Sequence, residues 1–221
     1  MLIYLMLKTS FRLFFLAALS LFTLMACVSN KVTIKPLPVQ TAQQRASQLQ
    51  QLSQWKISGK IAFIQKTLDE QDKRESAAIS WQVDEGNKNQ TLNLTSYLGI
   101  NVLHLSSMQG QHLIKVNSKE YRSDDLPQLI YSLTGLTLPT QALTFWLKGL
   151  PYQSSDKIVY NSKTKLPLNM TSTYQNSAWQ ITYDKYKVFE HLPMATKFTI
   201  KKDGLLIKVS IKKWSFTHNA S

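Results

Sequence analysis

Of the 221 residues, those from Cys27 to Ser221 suit one domain with a real core, and a single cysteine, Cys27, excludes an internal disulfide. Lys+Arg 26 against Asp+Glu 13 leaves a net charge of +13, which can attract nucleic acid, anionic lipid or an acidic protein, or simply solvate a cationic face. The lysines are scattered rather than clustered with interleaved aromatics, which argues against a nucleic-acid partner.

The chain opens on an export signal over residues 1–26. Lys8 and Arg12 supply positive charge, and Leu13 to Met25 is apolar except for Ser20 and Thr23. That run is shorter than the roughly 20 apolar residues that span a bilayer, and no stop-transfer segment follows. Leu24-Met25-Ala26-Cys27 resembles the lipobox of bacterial lipoproteins, with Met25 bulkier than usual; an ordinary cleaved signal is the alternative. A lone thiol in an exported chain needs a role, and acylation of Cys27 supplies one. Val28 stands where lipoproteins retained at the inner membrane carry Asp, so the resemblance points to the outer membrane, on its periplasmic face. Export further weakens the case for nucleic acid. Met1 to Leu7 is apolar ahead of the charges, which makes Met6 a second candidate start.

Residues 27–40, polar with Pro36 and Pro38, read as the acylated cysteine and a tether. A single domain is expected over 41–216, with 217–221 as a tail. Thr41 is placed to cap a helix from Ala42 to Leu52, with Ala42, Ala46, Leu49 and Leu52 on one face. Period-two alternation then predicts strands: Ile57, Gly59, Ile61 and Phe63; Ala77, Ile79, Trp81 and Val83; Leu92 and Leu94; Leu103 and Leu105; and a segment around Leu113 to Asn117. Ser123 or Asp124 is the expected cap of a helix carrying Leu126, Leu129, Ile130 and Leu133, stopped by Gly135. Thr140 is the expected cap of another, with Leu143, Trp146 and Leu147 on one face, ended by Gly149 and Pro151. Strands return at Trp179, Ile181 and Tyr183, at Phe198 and Ile200, and from Leu205 to Ile211. Short connections imply an antiparallel sheet, and the amphipathic helices must bury their stripes on its apolar face, giving a cup.

No catalytic constellation is visible. His104, His112, His191 and His218 lack metal-ligand spacing, and there is no nucleophile elbow, phosphate-cradling glycine loop or Cys/His pair. Asp124-Asp125 sits at a helix start, where the macrodipole accounts for it. The unusual segment is Ser96-Tyr97-Leu98-Gly99-Ile100, an apolar turn where polar residues are the rule. Its tip either folds back into the core or meets another apolar phase such as a bilayer.

An ordered series of short motifs runs through nearly the whole chain: Trp55 with Gly59-Lys60-Ile61; Trp81; Leu94-Thr95-Ser96-Tyr97-Leu98-Gly99; Tyr121 with Asp124-Asp125; Leu133-Thr134-Gly135 with Leu138-Pro139; Trp146-Leu147-Lys148-Gly149-Leu150-Pro151; Trp179 with Tyr183 and Tyr186; Pro193; and Lys208 with Trp214. In order and spacing it resembles the LolB family of outer-membrane receptors, which accept lipoproteins from a periplasmic carrier of the LolA type. The resemblance implies an α+β, mainly β fold, a half-open antiparallel β-barrel with helices packed in its concave face. It further implies an apolar cavity for acyl chains and a turn at Tyr97, Leu98 and Gly99 that projects Leu98 toward the membrane. Tyr97 stands where the family usually has Pro, an aromatic suited to a membrane interface. The candidate cavity lining is Ile61, Phe63, Ile79, Trp81, Leu92, Leu94, Leu103 and Leu105 from the sheet. Leu126, Ile130, Leu133, Leu143, Trp146 and Leu147 would join them from the helices, although the same alternation serves an ordinary core. The expected partners are a LolA-like carrier, triacylated lipoproteins and the outer membrane, met by a monomer with no cofactor, metal or enzymatic activity. The rival expectations are a structural or assembly-assisting lipoprotein with a solid core, and an envelope hydrolase.

Overall fold

The computed structural model describes residues 40–66, 72–135 and 138–217; Cys27, the signal, nearly all of the tether and residues 218–221 with His218 lie outside them, while Thr217, expected in the tail, still belongs to the last strand. Helix α1 (Ala42–Gln50) starts at Thr41, whose hydroxyl accepts the Gln44 amide while the Gln44 side chain accepts the Thr41 amide. It ends before the expected Leu52, and its buried side includes Arg45 beside Leu49, a charge that the apolar periodicity did not anticipate.

A six-strand meander follows: β1 (Gln54–Gln65), β2 (Lys73–Asp84), β3 (Asn89–Thr95), β4 (Asn101–Met108), β5 (Gln111–Val116) and β6 (Lys119–Ser123). Helices α2 (Leu126–Thr134) and α3 (Thr140–Trp146) come next. A second meander comprises β7 (Lys157–Tyr160), β8 (Pro167–Tyr174), β9 (Ser177–Phe189), β10 (Leu192–Lys202) and β11 (Leu205–Thr217). All pairings are antiparallel, in the order β6-β5-β4-β3-β2-β1-β11-β10-β9-β8-β7. The two meanders therefore join at the centre through β1 and β11, and the outer edges β6 and β7 pair with no further strand among the described residues. The barrel is open, as expected, with the α2–α3 segment connecting one free edge to the other.

The junction explains one glycine. The β1–β11 register shifts between Ser58 and Gly59, and a Cβ on Gly59 would lie 2.1 Å from the Ser210 carbonyl oxygen. No side chain fits there without parting the strands. Around it, Trp55, Ile57, Ile61, Ile207, Val209, Ile211 and Trp214 are buried while Lys56, Lys60 and Lys208 are exposed, the alternation of a sheet wet on one face.

Local chemistry corrects two caps. The cap of α2 is Asp125, whose carboxylate accepts the Gln128 amide; Ser123 instead accepts the Asp125 amide. Gly135 ends α2 at φ 69 as expected. At α3 the cap position is Pro139, and Thr140 lies inside the helix, buried, without capping it. The helix stops at Trp146, a turn before the expected glycine. Strands β6, β7 and β8 were not legible as strands. In β8 the buried positions are Pro167, Met170, Ser172 and Tyr174, a set too mixed in polarity to read as alternation.

Candidate acyl-chain interior and exposed turn

All five tryptophans are buried on the inner side of the sheet. Trp55 meets Trp81 edge-on at 5.4 Å and Trp214 at 5.7 Å, and Trp146 of α3 lies 5.6 Å from Trp179 of β9. Most of their indole nitrogens are engaged: Trp55 donates to Glu85, Trp81 to Gln90 and Trp214 to the Ala195 carbonyl. Trp146 and Trp179 are different. Their Nε1 groups, with Thr140 Oγ1 and Ser172 Oγ, are buried without a hydrogen-bond partner among the described residues.

The fourteen sequence-derived lining positions all fall on this inner side, but in two groups. Ile61, Ile79, Trp81, Leu143, Trp146 and Leu147 are buried in the main cluster, with Phe63, Leu92 and Leu94 partly buried against it. Leu105, Leu126 and Ile130 belong to a second cluster, completed by Ile114 and Leu129, with Leu103 and Leu133 at its margin. Leu92 and Leu138 touch both clusters. The interior is thus a large packed core beside a small one, with half-buried Leu92 and Leu138 between.

The two helices are held differently. Tyr183 donates its hydroxyl to the Trp146 carbonyl at 3.0 Å, and burial raises that phenol well above its ordinary pKa, so it stays a donor. Just past α3, Lys148 is 1% exposed and places its Nζ 2.6 Å from Glu85 Oε1. The Lys148 carbonyl accepts from Arg45, which also donates to the Pro193 carbonyl. Desolvation lowers the pKa of this buried guanidinium, and the neighbouring phenols only partly offset it. Gly149 turns left-handed at φ 72, with Arg45 and Pro167 already in contact distance of where a Cβ would sit. These bonds lock α3 to α1, β10 and the β2–β3 turn. Helix α2 carries its own cap and buries Leu126, Leu129 and Ile130 in the small cluster, against which Leu92, Leu103, Tyr121, Leu133 and Leu138 are partly packed. Sequence reasoning missed Arg45 and Glu85 because an exposed and a buried charge look alike in one dimension. It quoted Lys148 only as part of a motif.

The turn between β3 and β4 resolves the alternative left open above. The Gly99 amide donates to the Ser96 carbonyl, the Ser96 amide donates to the Ile100 carbonyl, and Gly99 sits at φ 79. Closure in so few residues forces the intervening side chains outward: Tyr97 is 99% and Leu98 80% exposed, with Ile100 and Val102 also in solvent. The tip does not fold back. No helix among the described residues is long and apolar enough to cross a membrane, and no metal-binding cluster occurs among them.

These features define an open antiparallel β-barrel with helices laid on its apolar face and a greasy turn projecting from one hairpin. A crystal structure of a DUF1329 family protein from Desulfovibrio piger shares the fold, with a TM-score of 0.50 at 8% identity over 84% of this chain and 96% of that one. The chain belongs to the LolB family: residues 53–214 match the family model described as outer membrane lipoprotein LolB. Relatives bearing the name outer-membrane lipoprotein LolB include one from Aeromonas hydrophila, 32% identical over 79% of this chain and 84% of its own length. Another, from Vibrio cholerae, is 27% identical over 89% and 92%.

Proposed function

We propose that this protein is the outer-membrane lipoprotein receptor of its cell, held by a lipid on Cys27 at the periplasmic face. In this reading it takes triacylated lipoproteins from a soluble LolA-like carrier and releases them into the outer membrane. The observation that carries the mechanism is the divided interior, in which α2 covers a small cluster of its own that meets the main one at half-buried Leu92 and Leu138. Lifting α2 uncovers Leu126, Leu129 and Ile130 together with Leu105 and Ile114 beneath. At about 1.5–3 kcal/mol for each fully exposed side chain, the cost is of order 8–15 kcal/mol. Counted from water, each buried methylene of a guest returns about 0.8 kcal/mol, so one acyl chain of roughly ten to twenty carbons offsets that cost, and in hand-over from a carrier only the difference in affinity counts. The interior therefore closes on itself when empty and opens only for a guest of that size. In this reading a guest that reaches the main cluster would offer an ester oxygen to the indole donors of Trp146 and Trp179, which have no partner among the described residues. No energy source is needed if affinity rises from carrier to receptor to membrane. The Tyr97–Leu98 turn then serves as the point of contact with the bilayer. No catalytic step enters this scheme.

The densely packed main cluster favours a second reading, a lipoprotein with a solid core. A fluorescent fatty-acyl probe separates the two. The mature chain with Cys27→Ala should bind it saturably and lose protection in α2 on binding; absence of saturable binding favours the solid core. Leu98→Glu, at an exposed position, should accept cargo from the carrier normally yet fail to deliver it into liposomes. Normal delivery by that variant removes the turn from the mechanism.

A further inference from the structure

The charge on the side of the sheet away from the helices has no role in this scheme. On that outer face, Lys60 of β1 pairs in register with Ser210 of β11, which pairs with Lys197 of β10, which faces Asp184 of β9. In the adjoining row, Lys208 lies between Ala62 and Thr199. With strands about 4.8 Å apart, these ammonium groups spring from backbone within about 10 Å of one another. Arg74 of β2 joins them at one end of a groove of about 690 Å³, and Ser96 and Tyr97, at the root of the exposed turn, form part of its wall. All four cations are exposed, and none makes an ion pair with a described residue. The groove's one carboxylate, Asp184, accepts the Lys185 amide.

We infer that this groove is a docking surface for the phosphate groups of anionic phospholipids, engaged when the neighbouring turn meets the membrane. Four cations against one carboxylate repel one another in the free protein and are relieved by anions. The hydroxyls of Ser210 and Thr199 lie in the same two rows and can donate to phosphate oxygens. An acidic carrier is the other occupant such charge would suit. However, a carrier seated here would face the wrong side of the sheet, because cargo must reach the inner face. A lipid surface carries no such restriction, and the continuity with Tyr97 places headgroup and acyl contacts side by side. Basic residues then orient the receptor on the bilayer while the turn penetrates it.

The inference rests on reading the turn as a membrane contact, and one co-sedimentation experiment tests the two separately. The probe is vesicles of phosphatidylethanolamine, with or without phosphatidylglycerol, and the protein is the mature chain with Cys27→Ala. Phosphatidylglycerol should tighten binding, and added salt should reverse the gain. Lys60→Gln with Lys208→Gln should lower affinity for the anionic vesicles about 25-fold, at roughly fivefold per charge, and leave neutral vesicles unaffected. Lys157→Gln with Lys163→Gln, exposed elsewhere, should change far less. Wild-type affinity of the Lys60/Lys208 variant for anionic vesicles overturns the inference. So does intact vesicle binding combined with lost cargo acceptance from the carrier in vesicle-free solution, which assigns the groove to an acidic protein. If Leu98→Glu instead leaves both vesicle types bound normally while the lysine pair matters, the turn reading fails and the groove stands.

Discussion

The Glu85–Lys148 pair makes an asymmetric prediction. Lys148 is 1% exposed, while the Glu85 side chain retains 29% exposure and also accepts from Trp55 Nε1 at 3.1 Å. Glu85→Ala strands the ammonium, which among the described residues is left with the Phe145 ring, 5.7 Å away. Removing one partner of a buried pair costs about 3–5 kcal/mol. The lost Trp55 bond adds about 1 kcal/mol. Lys148→Met keeps the aliphatic stem packed and leaves behind a carboxylate that water reaches and Trp55 still engages, so about 1 kcal/mol is expected. The double variant should recover most of the Glu85→Ala loss, since the stranded charge is gone. Urea unfolding followed by tryptophan fluorescence measures all three. Equal losses from the two single variants, or a larger loss from Lys148→Met, would refute the argument that the desolvated ammonium dominates.

Gly59→Ala should cost about 3 kcal/mol or prevent folding, because the new methyl meets backbone rather than a movable side chain; a melting temperature within a degree or two of wild type contradicts the close approach. His112, bonded to Ser107, has its pKa lowered chiefly by burial, with Asp125 and Asp124 pulling the other way. The unfolded chain then holds that proton more tightly, so stability is full above about pH 6.5 and falls as the pH drops below it. His112→Gln should flatten that part of the pH profile, and an unchanged profile assigns the dependence elsewhere. Amides of α2 should exchange with deuterium well before those of β1 and β11, because the helix rests on so small a cluster. Uniform protection across all three would remove the movable helix.

Much of the molecule was legible in one dimension because its physics is local. The alternation of Ile57 to Phe63 and Ala77 to Val83 specifies strands with one apolar face, whatever they pair with. The 3.6-residue spacing of Leu126, Leu129 and Ile130 specifies an amphipathic helix. Gly99 marks a turn, and the apolar residues beside it mark a tip with two possible destinations. All fourteen candidate lining residues emerge on one interior, since side-chain parity decides which face a residue shares. Cap identity was less secure, because Ser123, Asp124 and Asp125 compete over three adjacent positions and only hydrogen-bond geometry chooses.

What the sequence determined by itself is therefore most of the elements (β6, β7 and β8 excepted), their apolar faces and the family, for these depend on residues near one another in the chain. Only the tertiary structure decided that β1 and β11 join the two meanders and leave the edges open. It alone divided the interior into two clusters, and brought Arg45 and Glu85 to the end of α3. It alone gathered lysines from β1, β10 and β11 into one groove. Each of these depends on contacts between residues remote in the chain, and the burial that gives a charge its energetic weight does not exist until the chain has folded.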